Sequence, residues 1–208
     1  MTSDSTPGSL DAALEESRHL GFLGPGPLAR QIDHARGFAS TQERAPEAFL
    51  DLGAGGGLPG LVLAGEWPSS RGVLLDSMVR RTEFLRRVCT DLGLDDRVRV
   101  ICERAEVAGR DPELRGQFDV VTARSFGPPA VTAECGVAFL RPAGHLVVSE
   151  PPEDTEERWP TSGLASLGLA LREPATPQRR FVVLERTGSL EDRFPRRVGV
   201  PAKRPLWG

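Results

Sequence analysis

A glycine-rich segment at residues 51–60 is the part of the sequence that most directly indicates a ligand site. It reads Asp-Leu-Gly-Ala-Gly-Gly-Gly-Leu-Pro-Gly and follows the apolar run Ala-Phe-Leu. Glycines let the backbone approach a ligand closely, and a helix that begins here offers free amide groups and a partial positive charge. The pattern therefore predicts a strand, a ligand-binding turn and a helix in succession.

Acidic residues end or follow three apolar runs of the sequence, at Asp51, Asp76 and Glu106. The carboxyl ends of parallel strands meet at one edge of a sheet, where open α/β proteins bind ligands. A carboxylate at Asp51 can hold the amino-acid part of S-adenosylmethionine, directly or through water. Asp76 can accept both hydroxyls of an adenosine ribose, and Glu106 can meet an adenine edge. Together with the glycine loop, these acids indicate S-adenosylmethionine as the cofactor.

A dinucleotide is the alternative ligand for the same loop. Residues 55–60 satisfy the pattern G-x-G-x-x-G, and Asp76 follows about 20 residues later. Asp51 argues against this ligand, because its carboxylate would face and repel a pyrophosphate. Dehydrogenases also usually carry a second domain for the substrate, for which this chain has little room. We therefore favour S-adenosylmethionine over a dinucleotide.

Short β-branched runs alternate with helix-like stretches along the chain. The predicted strands cover residues 48–51, 72–76, 98–102, 118–123, 145–149 and 180–185, and the predicted helices cover residues 10–20, 28–40, 59–66, 78–93 and 128–140. Such alternation is typical of a mostly parallel sheet with helices on both faces. The sequence thus predicts a Rossmann-like α/β fold.

The chain divides in two on this interpretation. Residues 1–45 form an N-terminal helical extension, disordered over residues 1–9, and residues 46–208 form the catalytic domain. The acidic, proline-rich residues 151–160 are predicted to be a loop. The sequence has no signal peptide and no apolar run of membrane-spanning length, which predicts a cytoplasmic protein without a membrane partner. Its three cysteines are far apart in the sequence and indicate reduced thiols rather than a disulfide framework or a metal site.

Charge is unevenly distributed along the chain. The formal net charge is −3, which argues weakly against strong nonspecific binding of nucleic acid. Between Arg179 and Arg204, however, the sequence contains eight basic residues and three acidic ones. This basic C-terminal segment either contacts phosphates or forms a solvated surface.

The motifs resemble those of one family, the GidB-type ribosomal RNA small-subunit methyltransferase G proteins. The matching blocks are residues 50–60 (LDLGAGGGLPG), residues 74–77 (LLDS) with Arg80-Arg81 and Phe84-Leu85 after them, residues 104–106 (RAE), residues 121–124 (VTAR) and residues 194–206 (FPRRVGVPAKRPL). The resemblance covers roughly three quarters of the chain, from about Phe49 to Leu206.

The resemblance implies a class I methyltransferase fold that binds S-adenosylmethionine and transfers its methyl group to N7 of one guanine in 16S rRNA. It also implies that 16S rRNA or the 30S subunit is the partner, contacted through the basic C-terminal segment. Carried over by motif, Gly53 and Leu58 touch the amino-acid end of the cofactor, Ala105 and Glu106 flank the adenine, and Arg124 lies at the mouth of the site. With the acids and the loop, the predicted cofactor-binding residues are Asp51, Gly53, Ala54, Gly55, Gly57, Leu58, Asp76, Ser77, Ala105, Glu106 and Arg124.

The sequence departs from the family pattern on the acceptor side. Family members usually have Lys-Gly after the fifth strand, where this chain has Glu150-Pro151. Phe126 is a candidate for stacking on an acceptor base, and no residue is singled out as a catalytic base or a metal ligand. Two other functions therefore stay open at this point: a paralogue that methylates a small molecule or another RNA, and a non-catalytic S-adenosylmethionine-binding module.

Overall fold

A computed structural model describes residues 8–151, 158–173 and 181–208 of the chain. The predicted disorder of residues 1–9 lies outside these ranges except at its last two positions. Of the predicted loop at residues 151–160, residues 152–157 also lie outside them.

The described residues form a seven-stranded sheet whose first five strands are parallel. The strands are β1 (Ala48–Leu52), β2 (Arg71–Asp76), β3 (Val98–Cys102), β4 (Phe118–Ala123), β5 (Leu140–Ser149), β6 (Leu169–Arg172) and β7 (Phe181–Arg186). Their spatial order is β3-β2-β1-β4-β5-β7-β6, and β7 runs antiparallel to both β5 and β6. The strands β1 to β3 are added toward one edge of the sheet, and β4 and β5 are added on the other side of β1. The strand order therefore reverses between β1 and β4, which is the position where such sheets bind ligands.

Helices connect the strands. They are α1 (Leu10–His19), α2 (Leu28–Ser40), α3 (Gly60–Glu66), α4 (Val79–Asp91), α5 (Ala105–Ala108), α6 (Pro129–Val137), α7 (Thr161–Ser166) and α8 (Val200–Lys203). Within the described ranges, none of these helices has the length and apolar character needed to cross a membrane.

Two apolar layers cover the two faces of the sheet. In β1, Leu50 and Leu52 belong to one buried cluster and Phe49 to the other, because successive side chains of a strand point to opposite faces. The cluster with Phe49 contains buried residues of α1 to α4, and the cluster with Leu50 contains buried residues of α5, α6 and α7. The predicted α/β architecture with helices on both faces is confirmed.

The N-terminal helices share a core with the sheet. Leu14 of α1 and Ile32, Ala35 and Phe38 of α2 are buried in the same cluster as Phe49 of β1. The Ser17 hydroxyl of α1 also donates a hydrogen bond of 2.8 Å to the carbonyl of Gly56 in the glycine loop. Residues 10–40 therefore cover one side of that loop, whereas the predicted domain boundary at residue 45 stays a prediction.

Candidate cofactor site

A cleft of about 320 Å³ lies at the carboxyl ends of the central strands. Five of the predicted cofactor-binding residues line it: Gly53, Asp76, Ser77, Ala105 and Glu106. They come from the end of β2 and from the turns after β1, β2 and β3, which the parallel sheet brings to one edge. The structure thus places residues from three separate sequence motifs around one cavity.

The glycine loop is held in shape by backbone hydrogen bonds to β2. The amides of Gly53 and Ala54 both donate to the carbonyl of Leu75 at 2.9 Å. Gly53 adopts a φ of +75°, and a Cβ atom placed on it would lie 2.8 Å from the ring of Phe126. Glycine is required here because the loop needs a left-handed backbone and because an aromatic ring lies against it.

Asp76 joins the loop to the start of α4. Its Oδ2 accepts a hydrogen bond of 2.9 Å from the Gly55 amide, and its Oδ1 accepts one of 2.8 Å from the Met78 amide. The guanidinium of Arg81 lies 3.6 Å from Oδ2. An ionised carboxylate offers about four acceptor positions, so these contacts orient the group and leave capacity for ligand hydroxyls.

Asp51 lies beneath the loop, with both carboxylate oxygens bonded to the protein. Oδ2 accepts from the Gly60 amide at 2.8 Å, and Oδ1 accepts from the Thr122 hydroxyl at 3.0 Å. Burial raises the pKa of Asp51 to about 7, against the opposing effect of these two hydrogen bonds and of the nearby Arg124 cation. In this arrangement the carboxylate links β1, β4 and the start of α3, and direct contact between Asp51 and the cofactor stays a prediction.

Glu106 fixes the C-terminal segment to the cleft. Its Oε1 accepts hydrogen bonds from the Gly199 amide at 2.9 Å and from Arg104 Nη2 at 3.1 Å. Burial alone would raise the pKa of Glu106, but the hydrogen bonds from Gly199, from its own amide and from Arg104 outweigh burial and lower it. The nearby Glu134 is fully buried, and its carboxylate accepts hydrogen bonds from both the amide and the guanidinium of Arg196. Two carboxylates thus hold residues 196–199 in place.

Arg124 extends toward the N-terminal helices. Its Nη2 donates a hydrogen bond of 2.8 Å to Gln31 Oε1 of α2. Burial lowers the pKa of Arg124, and the carboxylate of Asp51 opposes that shift. Its Nη1 is buried without a hydrogen-bond partner among the described residues. The guanidinium therefore lies between the core carboxylate and α2, and a contact with the cofactor stays a prediction.

Ala54, Gly57 and Leu58 serve the packing around the loop. Ala54 and Leu58 are buried in the cluster that contains α3 and α4. A Cβ atom on Gly57 would lie 2.4 Å from a methyl carbon of Leu61 in α3, so this position also excludes a side chain. Their contacts with a cofactor stay a prediction.

Several residues that were not predicted as site residues also line the cleft, and Met78, Arg81 and Cys135 are among them. Met78 directly follows Asp76-Ser77, so its place after a strand was a usable signal. Cys135 lies on α6, and no sequence pattern connects it with the strand ends. Burial, followed by the carboxylates of Glu106 and Glu134, raises the pKa of the Cys135 thiol well above its usual range, so the thiol stays protonated at neutral pH.

Glu150, which stands where family members usually have a lysine, does not present its charge to solvent. Its side chain is 7% exposed and forms an ion pair with Arg158. The basic C-terminal segment is also partly engaged with the protein: Arg196 binds Glu134, and Arg186 donates to the carbonyl of Leu140. Exposed cations of this segment include Arg197, Lys203 and Arg204, whereas Arg179 and Arg180 lie outside the described residues.

The cleft fits S-adenosylmethionine. Asp76 offers carboxylate oxygens that can accept ribose hydroxyls, and Met78, Ala105 and Val131 supply apolar surface suited to an adenine ring. Gly53 lines the cleft through its backbone alone. When bound, this cofactor supplies an electrophilic methyl group.

Solved structures with the same fold include a putative methyltransferase and a cofactor-bound protein. A putative O-methyltransferase from Klebsiella pneumoniae superposes with a TM-score of 0.57 at 16% identity, covering 88% of this chain and 92% of that protein. The cofactor-bound protein Rv0187 from MTB superposes with a TM-score of 0.59 at 20% identity, covering 90% and 94%. At these identities the likeness confirms the class I methyltransferase fold.

The sequence relatives identify the family, whereas the solved structures identify only the fold. Ribosomal RNA small subunit methyltransferase G of Rubrobacter xylanophilus is 38% identical to the chain, covering 87% of this chain and 73% of the relative. The protein of the same name from Prochlorococcus marinus strain MIT 9313 is 39% identical, covering 86% and 73%. The family model described as rRNA small subunit methyltransferase G, GidB, matches residues 29–158. With this match and the cofactor cleft in place, the chain belongs to the GidB family of S-adenosylmethionine-dependent methyltransferases.

Proposed function

We propose that this protein transfers a methyl group from S-adenosylmethionine to N7 of a guanine in 16S rRNA, as part of rRNA processing. The names of the relatives supply the rRNA substrate. The observation that carries the choice of a ring nitrogen is the state of three titratable side chains in or beside the cleft, Cys135, Glu106 and Asp51, which are poorly suited to removing a proton from an acceptor.

Three groups near the cofactor illustrate this chemistry. The Cys135 thiol has a pKa raised by burial and by two carboxylates. Glu106 has a lowered pKa and is bonded to Gly199 and Arg104, which makes it a weak base. Asp51 is buried with both oxygens bonded to the protein. Guanine N7 already carries a lone pair, so it needs alignment with the methyl group and exclusion of water rather than a base.

The basic C-terminal segment supports RNA as the partner. Ala202 of α8 lines the cofactor cleft, and its neighbours Lys203 and Arg204 are exposed, as is Arg197. Cations beside the cleft would contact phosphates on either side of an acceptor base, while the base itself enters the site. We place the enzyme in the cytoplasm, where the 30S subunit is found.

The test is methyl transfer from labelled S-adenosylmethionine to 30S subunits that lack the N7-guanine mark. Free small-subunit RNA and a cell metabolite extract are run alongside. Label in 16S rRNA at a single guanine, located by cleavage at N7-methylguanine, is the expected result. Label confined to the metabolite fraction would instead assign a small-molecule acceptor, and cofactor binding without label in any fraction would assign a non-catalytic binding module.

A further inference from the structure

Arg124 lies at the edge of the sheet beside the glycine loop. It directly follows β4, whose last residue, Ala123, pairs with Leu52 at the end of β1. The residue after Leu52 is Gly53, which lines the cofactor cleft. Because the two strands are parallel and in this register, the main chain of Arg124 lies next to that of Gly53. The arginine is therefore attached at the rim of the cleft.

The protein supplies an acceptor to only part of the Arg124 guanidinium. Its Nη2 donates a hydrogen bond of 2.8 Å to Gln31 Oε1 of α2, whereas its Nη1 is buried and has no acceptor in the part of the chain that the structure describes. A buried N–H group of a cation is costly when it has no acceptor. The arrangement therefore indicates that a ligand supplies the acceptor for Nη1.

The acceptor that complements Nη1 is anionic. Arginine forms charge-assisted hydrogen bonds with carboxylates, and these bonds are stronger than those between neutral groups. S-adenosylmethionine carries one anionic group, the carboxylate of its amino-acid part, whereas its adenosine part carries none. That carboxylate is the group of the cofactor that matches the buried N–H of Arg124, in agreement with the contact predicted from the sequence motif.

Gln31 fixes the direction in which Nη1 points. A guanidinium is planar, so a hydrogen bond that holds Nη2 also restricts the plane in which the other N–H groups lie. Gln31 is itself held, because its Nε2 donates a hydrogen bond of 3.0 Å to the carbonyl of Gly24, which lies between α1 and α2. A side-chain amide has one donor end and one acceptor end, so this bond turns Oε1 toward Arg124.

The packing of α2 does not depend on this glutamine. Ile32, Ala35 and Phe38 of the same helix are buried in the cluster that contains Phe49 of β1. These apolar contacts hold the helix on the sheet, whereas the Gln31 side chain is only partly buried. The polar contacts of Gln31 are therefore available for a role other than holding the fold.

We propose that Gln31 is a positioning residue that orients Arg124 toward the carboxylate of S-adenosylmethionine. It acts through Arg124 and does not touch the cofactor. The N-terminal helix α2 thereby belongs to the cofactor site as well as to the core. The inference concerns the cofactor alone, so it goes beyond the proposed function and holds for any acceptor of the methyl group.

The experiment compares two ligands that differ only in the carboxylate. Decarboxylated S-adenosylmethionine keeps the adenosine, the sulfonium and the amine of the cofactor. Gln31→Met preserves the length of the side chain and removes both of its polar ends. Isothermal titration calorimetry should show that this variant binds S-adenosylmethionine about 5- to 10-fold more weakly than the wild type does, and that its affinity for the decarboxylated ligand is unchanged.

Two further variants serve as controls. In an Arg124→Met background, Gln31→Met should cause no additional loss of affinity, because the group that it positions is absent. Gln42→Met is the matched control at another hydrogen-bonded glutamine. Gln42 contacts Thr41 and His145 and lines a separate cavity, so its removal should leave both affinities at the wild-type values.

Each of the other outcomes would overturn the inference. Equal losses for the two ligands in Gln31→Met would show that the substitution disturbs α2 rather than the contact with the carboxylate. An unchanged affinity for S-adenosylmethionine, or additive losses in the double variant, would remove Gln31 as a positioning residue. Equal binding of both ligands by the wild type would show that the site does not recognise the carboxylate. All these results come from cofactor binding without RNA, so they are separable from the test of the rRNA acceptor.

Discussion

Asp51 and Asp76 end neighbouring strands, yet their carboxylates occupy different environments. Asp76 lines the cleft and is bonded to two amides of the surrounding turns. Asp51 is 1% exposed and holds the start of α3 against β4 through Gly60 and Thr122. The sequence places both acids at the sheet edge, but which carboxylate faces the ligand depends on the side of the strand from which it projects.

Removal of the Asp76 side chain should weaken binding of the cofactor. Asp76→Ala is expected to reduce S-adenosylmethionine affinity by about 1–3 kcal/mol, since ribose hydroxyls and the Gly55 amide lose their acceptor. Isothermal titration calorimetry measures this directly. Asp76→Asn keeps one acceptor oxygen, so its cofactor affinity should lie between those of the wild type and Asp76→Ala. Unchanged affinity in Asp76→Ala would remove this residue from the site.

The buried carboxyl of Asp51 should make stability depend on pH. Its folded-state pKa of about 7 lies above the ordinary value of 3.8, so the folded protein binds this proton more tightly than the unfolded chain does. The contribution of this proton to stability is complete below pH 3.8 and is lost as the pH rises toward 7. Asp51→Asn does not titrate and should therefore gain stability relative to the wild type across this window, by at most about 4 kcal/mol.

Urea unfolding of both proteins at pH 5 and pH 7.5 measures the Asp51 effect. The wild type should lose more stability between the two pH values than the asparagine variant. Parallel pH profiles for the two proteins would show that Asp51 titrates normally in the folded state.

At the scale of the elements, the glycine loop is a turn whose shape is set by its neighbours. β2 accepts its amides at Leu75, Phe126 lies against Gly53, and the side chains of Ser17 and Leu23 would meet a Cβ atom on Gly56 at 2.5 and 2.7 Å. The loop is therefore packed on several sides by segments that lie far apart in the sequence.

A side chain at Gly53 should disturb this packing. Gly53→Ala introduces a left-handed alanine and a contact of 2.8 Å with the Phe126 ring. We expect a loss of about 1–3 kcal/mol in stability, together with weaker cofactor binding. Chemical denaturation and calorimetry give the two values.

Gly65 provides the matched control for Gly53. It lies in α3, and a Cβ atom there meets nothing within 4 Å. Gly65→Ala should be neutral or stabilise the protein by about 0.5–1 kcal/mol and leave cofactor binding unchanged. Equal effects of the two substitutions would argue against the tight packing of the loop.

Periodicity predicted most of the elements that carry the site. The helix at residues 28–40 has the predicted bounds, and the strand at residues 118–123 does as well. β6 was missed because it has four residues and Leu171 in it is exposed, so it gives a weak alternation signal. The four-residue helices α5 and α8 and the six-residue α7 are likewise too short to show a helical repeat.

The site was predictable where residue type and chain position act locally. Gly53, Asp76, Ser77, Ala105 and Glu106 end or follow strands and line the cleft, whereas their contacts with a cofactor stay a prediction. Contacts that depend on distant segments had no local signal. The bond from Gly199 to Glu106 and the ion pair between Arg196 and Glu134 are set by how remote parts of the chain fold together.

For the whole molecule, a negative net charge coexists with a local cationic surface beside the cleft. The chain carries 29 acidic and 26 basic residues, yet exposed cations at Arg197, Lys203 and Arg204 belong to the segment that borders the cleft through Ala202. Such a distribution favours local contact with phosphates over general adhesion to nucleic acid.

Neutralising this surface should weaken RNA binding in a salt-dependent way. A plot of log affinity for 30S subunits against log salt concentration has a negative slope. The triple variant Arg197→Gln, Lys203→Gln and Arg204→Gln is expected to make this slope shallower by about 2–3. Cofactor affinity should stay at the wild-type value. Arg71→Gln, at an exposed position at the start of β2, is the control and should change the slope little. An identical slope in the triple variant would place the RNA elsewhere.

The bond between Gly199 and Glu106 joins residues 93 positions apart in the chain. During synthesis, the turn that carries Glu106 emerges long before its partner, so a nascent chain that ends before residue 199 has an incomplete cofactor cleft. Arg196, which binds Glu134, arrives equally late. Translation order therefore separates folding of the central strands from acquisition of a complete cofactor site, and ribosomes stalled upstream of residue 196 carry chains that lack both contacts.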